Sequence, residues 1–176
     1  MLPEKKPNLL DLVFDADKFK STAEFQKVVN SQPPQTWIKA HPFIKGYNYI
    51  PIDCVEYLLR SIFQYWEWKV NDFKVIANAI AVHGTLRIQH PVSGEWLSYD
   101  GLGAVDIQLK SGSNPTDFSA ITAGAIQKNL PAAESFALKD AAEKIGTLFG
   151  GSLNRKDSNG WNTPYKTKWN ENETEN

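Results

Sequence analysis

Residues 131–156 constrain the fold most, because this one stretch carries the signals of a helix start, a buried face and a helix end. Pro131 suits a first helical turn, where its missing N–H is not needed. Gly150 and Gly151 are typical of a helix end, since glycine adopts the left-handed conformation at low cost. We therefore predict a long amphipathic helix, with Gly146 small enough for close packing. Its buried stripe is expected to comprise Leu138, Ala141, Ala142, Ile145 and Phe149.

The segment before this helix predicts the sheet on which it packs. Runs in which apolar residues alternate with polar ones favour strands. We interpret residues 100–103 (Asp-Gly-Leu-Gly) as a glycine turn, in which Gly101 and Gly103 permit close backbone approach. The expected fold is α+β, with an antiparallel sheet of three to four strands, of the β-β-β-α type, packed on the long C-terminal helix. The strands are expected around residues 66–70, 73–82, 84–90 and 95–99.

Two shorter helices are predicted earlier in the chain. Residues 17–30 predict a helix capped by Asp15 or Asp17. Residues 53–63 predict another, with Asp53 as N-cap and Glu56 three residues later, close to a capping box. The buried faces are expected to comprise Phe25, Val28 and Val29 in the first helix, and Val55, Leu58, Leu59 and Ile62 in the second.

Length and composition favour one globular domain. The chain has 176 residues, of which 41% are hydrophobic, and a single cysteine, Cys54. This is enough for one core, and it excludes an intrachain disulfide framework. The chain has no 18-residue apolar run and no secretion signal, so we expect no membrane partner and a reducing, cytoplasmic location. We predict a flexible arm over residues 1–16, a domain over 17–156 and a disordered polar tail over 157–176.

The residues that could support catalysis form no recognisable constellation. His41, His83 and His90 are far apart in sequence, and each is expected to be a hydrogen-bonded structural residue. We find no phosphate-binding loop, dinucleotide fingerprint or nucleophile elbow, and we predict no catalytic residue, metal or cofactor. The formal net charge of −1 means that binding to phosphate would depend on local clusters of basic residues.

Four stretches carry a resemblance to a known family: Tyr49-Ile50 with the helix through Leu59, residues 84–88 (Gly-Thr-Leu-Arg-Ile), residues 98–103 (Ser-Tyr-Asp-Gly-Leu-Gly), and residues 130–146 with Phe149-Gly150. Over roughly residues 36–156 the chain resembles the Rad fifty-two / Rad twenty-two family of single-strand DNA annealing proteins. Within that family it is most similar to the small bacteriophage versions. The resemblance implies a homo-oligomeric ring or helical filament that holds single-stranded DNA in an outer groove.

The resemblance also implies which residues contact the DNA. By position, Lys139 corresponds to the lysine of the family's helix motif, Lys39 to a basic residue before the first strand, and Arg87 to one on the central hairpin. The chain departs from the eukaryotic pattern at Asp140 and Glu143, where that pattern has basic residues. We expect the groove to be completed by the other basic residues of the predicted site, which are Lys45, Lys69, Lys144, Arg155 and Lys156.

The leading prediction is ATP-independent annealing of complementary single strands in phage recombination and DNA repair, within a bacterial host cell. Two alternatives stay open. One is a recombination mediator that coats single-stranded DNA without annealing it. The other is a Mg²⁺-dependent nuclease using Asp100, Asp106 and Lys110. The C-terminal tail is expected to recruit a single-strand binding protein.

Overall fold

Three long antiparallel strands and one long helix form the centre of the protein, in a computed structural model that describes residues 19–41 and 44–155. The predicted arm (1–16), the predicted tail (157–176) and Lys156 lie outside the described residues. The described helices are α1 (Thr22–Val29), α2 (Ile52–Ile62) and α3 (Ala125–Glu143). The described strands are β1 (Lys39–Ala40), β2 (Asn48–Tyr49), β3 (Trp66–Ile76), β4 (Ala79–Gln89) and β5 (Trp96–Asp106).

The main sheet has the strand order β3-β4-β5 and is antiparallel throughout. Along β4, Ile80, Val82, Leu86 and Ile88 are buried, and the residues between them lie on the opposite face. The inner face packs on α3, which lies across β4 and β5. The predicted α+β fold, with an antiparallel sheet and a C-terminal helix, is therefore confirmed. A separate two-stranded ribbon, β1-β2, adds to it.

The strand predicted over residues 73–82 is wrong, because this run contains a hairpin. Ile76 pairs with Ala79, so Ala77 and Asn78 form the connection, and Ala77 has a positive φ of 53°. Neither glycine nor proline marks this turn, and the apolar run continues through it. The Asn78 carbonyl oxygen accepts a hydrogen bond from the N–H of Ile107 (2.6 Å), which ties the turn to the end of β5.

The predicted glycine turn at residues 100–103 is also wrong, since these residues lie inside β5. Gly101 and Gly103 face α3, and a Cβ on either would overlap its backbone, at the carbonyl oxygens of Ala137 and Ala133. The close backbone approach expected of these two glycines is therefore confirmed. They lie in extended strand and are needed because the helix rests directly on the strand.

Helix α3 has different ends from those predicted. It begins at Ala125, after Gly124 in the left-handed conformation (φ 75°), so Pro131 lies inside the helix. It ends at Glu143, and Gly150 instead follows a short 3-10 turn over Thr147–Phe149. The predicted stripe is nevertheless buried throughout, from Leu138 to Phe149. The apolar spacing continues past the helix end because the 3-10 turn presents its residues to the same core.

The two shorter helices confirm their predicted faces and correct their predicted caps. The apolar residues expected inside α1 and α2 are all buried. Helix α1 begins at Thr22, and the hydroxyl of Ser21 accepts a hydrogen bond from the N–H of Glu24 (3.3 Å). Asp15 and Asp17 are therefore too early in the chain to cap it. Helix α2 follows Pro51, which places Asp53 within the first turn and not at the N-cap.

One core cluster joins α1, α2, the C-terminal half of α3 and the Leu86–Ile88 end of β4. A smaller cluster lies under the N-terminal half of α3, where Ile80 and Val82 meet Ala133 and Ala137. Alanine and glycine are the closest contacts there, so the helix and the sheet approach closely. Within the described residues, no helix has the length and apolar content needed to cross a membrane.

Candidate nucleic-acid interface

The β1-β2 ribbon is attached to the segment that follows α3. Lys39 pairs with Tyr49 across the ribbon, so their side chains share one face. The side chain of Asn154 continues the ribbon: its Oδ1 accepts from the N–H of Asn48 (2.7 Å), and its Nδ2 donates to the Asn48 carbonyl oxygen (2.8 Å). We call this region, formed by β1, β2, the C-terminal end of α3 and residues 152–155, the ribbon end.

Lys139 lies at the ribbon end between two aromatic rings. Its Nζ is 4.6 Å from the ring centroid of Tyr49 and 4.8 Å from that of Phe136. Burial lowers the pKa of Lys139, and the nearby Glu143 carboxylate opposes that change. The ammonium is therefore held by cation–π contacts on its way to the surface.

Glu143 is the acidic centre of this region. Burial, with a smaller contribution from Asp140, raises its pKa from the ordinary 4.5 to about 7. Three basic residues act in the opposite direction, namely Lys139, Lys144 and Arg155. Three of the eight predicted DNA contacts thus surround one carboxyl group.

Asp140 and Lys144 bind the free edge of β5. The N–H of Leu102 donates to Asp140 Oδ2 (3.1 Å), and Lys144 Nζ donates to the backbone carbonyl oxygen of Asp100. Lys144 and Asp140 also form an ion pair (3.1 Å). The acidic departure at Asp140 therefore has a structural use, since it satisfies a backbone donor that an edge strand leaves unpaired.

Lys69 and Arg87 lie elsewhere, on the sheet face that points away from α3. Arg87 pairs with Glu67 (3.0 Å), and its guanidinium lies 4.7 Å from the ring centroid of Trp96. Lys69 is exposed and pairs with Thr85 in the strand register. The structure therefore separates the predicted site into two groups. The ribbon end has Lys39, Lys139, Lys144 and Arg155, with Lys45 in the exposed β1-β2 loop.

A polar network crosses the centre of the outer sheet face. Asn71 donates to the Thr85 hydroxyl (2.7 Å), which donates to Asp100 Oδ1 (2.5 Å). His83 Nε2 lies 3.9 Å from the same oxygen. His83 and Asp100 line a shallow concavity of about 630 Å³, together with Lys74, Leu102 and Lys144. Asp100 is thus held by a hydrogen-bond network within the sheet.

The three residues of the nuclease alternative are not brought together. Asp100 and Asp106 lie on one extended strand six residues apart, which is about 20 Å at the rise of a strand. One Mg²⁺ cannot bind both carboxylates at that separation. Across residues 19–41 and 44–155, no group of three His, Cys, Asp or Glu side chains has the arrangement of a metal site.

The histidines and the cysteine have structural surroundings. His90 is buried, and its Nδ1 accepts from the N–H groups of Val92 (3.2 Å) and Ser93 (3.1 Å), as expected of a structural residue. His41 Nδ1 accepts from the N–H of Ile44 (3.1 Å). Cys54 is half-buried, and burial raises the pKa of its thiol.

Sequence reasoning missed Tyr49 as the ring under Lys139 and Asn154 as the partner of the ribbon. Asn48 and Asn154 are 106 residues apart, and no periodicity or spacing relates them. It also missed the contact between Trp68 Nε1 and Glu134 Oε1 (3.2 Å), which joins β3 to α3. The YNY pattern around Asn48 was the one available signal, since aromatic residues beside a basic loop indicate a surface for cations.

A scan against protein-family models finds no match to the chain, and a search of curated proteins finds none either.

Proposed function

We propose that the protein binds single-stranded DNA and anneals complementary strands without ATP, as part of recombination or repair. The observation that supports this best is the collection of five predicted cations at the ribbon end, in a chain whose formal net charge is −1. The second support is the family resemblance of the long helix. A local basic surface on a near-neutral body is what phosphate binding requires.

We propose two different roles for these cations, according to how exposed each one is. Lys39 and Lys45 are exposed on the ribbon, and Arg155 is exposed after α3, so all three are accessible to phosphate groups. Lys139 is half-buried between Tyr49 and Phe136, and it positions the ribbon against the helix while presenting its charge at the surface. Backbone contacts of this kind carry no sequence preference and leave base edges open for pairing.

A paired set of charge variants tests the assignment. Lys39→Gln with Lys45→Gln removes two cations of the ribbon, whereas Lys110→Gln with Lys128→Gln removes two exposed cations elsewhere. We expect only the first pair to weaken single-strand binding. It should also reduce the slope of log K against log salt by about 0.7 for each lost contact. Equal weakening by both pairs would show that the ribbon end is not the binding surface.

Annealing itself is tested with two complementary oligonucleotides and the purified protein. Acceleration of duplex formation without ATP supports the proposal. Tight single-strand binding without acceleration would favour the mediator instead, and loss of labelled strand in Mg²⁺ would favour the nuclease. No binding at any salt concentration would reject the proposal altogether.

The same proposal includes assembly into a homo-oligomeric ring or filament, action in the cytoplasm of a bacterial host, and recruitment of a single-strand binding protein by residues 157–176. These rest on the family resemblance alone. Electron micrographs of the protein with and without single-stranded DNA test the assembly. Deletion of residues 157–176 followed by a pull-down with a single-strand binding protein tests the recruitment.

A further inference from the structure

Strand β3 is an edge strand with an exposed apolar stretch. All residues from 69 to 76 are exposed, including Phe73 (59%), Val75 (57%) and Ile76 (60%). Phe73 pairs with Val82 and Val75 pairs with Ile80, and both partners on β4 are fully buried under α3. The inner face of the sheet is thus covered on β4 and at Trp66 and Trp68 of β3, whereas within residues 19–41 and 44–155 it is uncovered on β3 from residue 70 onward.

The free edge of β3 also directs backbone groups outward at the same apolar positions. The Tyr65 carbonyl oxygen accepts a hydrogen bond from the N–H of Gln89 (3.0 Å), so Tyr65 directs its backbone groups toward β4. Because this direction alternates along an antiparallel strand, the backbone N–H and C=O groups of Trp66 and Trp68 point away from β4. The bulge between Val70 and Asp72 shifts the alternation by one residue. Phe73 and Val75 therefore direct their N–H and C=O groups outward as well.

We propose that β3 pairs antiparallel with β3 of a second copy of the chain, about a two-fold axis between Val70 and Asn71. In this register Trp68 lies opposite the partner's Phe73, and Trp66 lies opposite the partner's Val75. All four residues belong to the inner face and direct their backbone groups to the free edge. The pairing joins two three-stranded sheets into one of six strands.

The charges on the outer face select this register. It places Lys69 opposite the partner's Asp72 and Glu67 opposite the partner's Lys74, and the two-fold axis repeats both pairs. A slip of two residues in one direction places Lys69 opposite the partner's Lys74. A slip in the other direction places Glu67 opposite the partner's Asp72. Lysine on an edge strand normally discourages pairing, whereas in this register both lysines meet carboxylates at once, which neither slip allows.

This interface goes beyond the proposed function and does not depend on DNA binding. A two-fold interface is self-complementary and closes to a dimer. A ring or filament would therefore be built from such dimers through a second surface. If the protein anneals DNA as a monomer, the proposed interface is contradicted and the proposed function stands. If it is a dimer that does not bind DNA, the proposed function is contradicted and the interface stands.

Charge reversal of the full chain tests the interface. Lys69→Asp places two carboxylates opposite each other, and Asp72→Lys places two ammonium groups opposite each other. We expect each variant alone to be monomeric by sedimentation or light scattering at micromolar concentration. Their equimolar mixture and the double variant with both changes restore opposite charges, so both should recover the dimer.

Lys128→Glu is the matched control, because it reverses an exposed charge on α3 and should leave the wild-type mass unchanged. Circular dichroism confirms that each variant is folded. A monomeric wild type would overturn the proposal and indicate that another segment of the same chain covers β3. Single variants that keep the wild-type mass would overturn it too, as would a mixture that stays monomeric.

Discussion

Glu143 is the residue whose protonation matters most at the ribbon end. It lies half-buried beside Asp140 and among Lys139, Lys144 and Arg155, and burial raises its pKa to about 7. A carboxyl group that titrates near neutrality in a basic cluster changes both the stability of the fold and the charge that the surface presents.

The stability of the wild type should fall as pH rises through about 7. The pKa of Glu143 in the folded state lies above its value in the unfolded state. Its contribution to stability is therefore fully present below about pH 4.5 and is lost as the pH rises to about 7. Glu143→Gln should therefore match the wild type at about pH 4. At pH 8 it should be more stable by about 1–2 kcal/mol after solvent screening. Urea unfolding measures this, with Glu95→Gln on the exposed hairpin connection as control.

The affinity for single-stranded DNA should rise severalfold as pH falls from 8 to 6, because protonation of Glu143 removes a negative charge from among three cations. Glu143→Gln should bind at pH 8 as the wild type binds at pH 6. His41 lies beside Tyr47 and Tyr49 and supplies the control position. His41→Gln should keep most of the pH dependence. Fluorescence anisotropy measures the affinities, and an undiminished pH dependence in Glu143→Gln would contradict the assignment.

Asp140 should stabilise the fold although it lowers the charge of the candidate interface. It accepts from the N–H of Leu102 and pairs with Lys144. Asp140→Ala should lower the free energy of unfolding by about 1 kcal/mol, since the pair is partly exposed. Asp140→Asn retains an oxygen acceptor and should lose less. Equal stability of the wild type and both variants would show that the edge of β5 needs no partner.

At the scale of elements, the contact between β5 and α3 depends on Gly101 and Gly103. Gly101→Ala should destabilise the protein by about 2–3 kcal/mol, because its Cβ would overlap the Ala137 carbonyl oxygen and push the helix off the strand. Ser98→Ala, on the exposed face of the same strand, is the control and should change stability little. Thermal unfolding compares the two, and a Gly101→Ala protein as stable as the control would contradict the close contact.

The elements were predictable where burial repeats along the chain. The stripes of α1, α2 and α3 follow helical spacing, and each was assigned correctly because burial imposes that spacing. Boundaries were less predictable, since they depend on tertiary contacts. Ala77-Asn78 turns the chain without a glycine or proline, and Gly101 and Gly103, which look like a turn, are instead required by α3.

At the scale of the whole molecule, the grouping of the predicted site residues could not be derived from sequence. Lys39 pairs with Tyr49 across the ribbon and Lys139 lies over the Tyr49 ring, so the two lysines share one region although 100 positions separate them in the chain. Lys69 and Arg87 are separated from them by the thickness of the sheet. The resemblance indicated residue types for DNA binding, whereas only the fold decides which of them share a surface.

The two hydrogen bonds between the Asn154 side chain and the Asn48 backbone have a consequence for the order in which the parts of the domain are completed during translation. The ribbon is translated early, yet the hydrogen bonds on its outer edge come from a residue close to the end of the domain. While the nascent chain emerges, that edge stays without its partner until α3 and the turn after it have followed. The ribbon end is therefore the last part of the domain to be completed during biosynthesis. A chain that ended directly before Asn154 would keep α3 and the core residues up to Phe149 but would lack both hydrogen bonds to the ribbon.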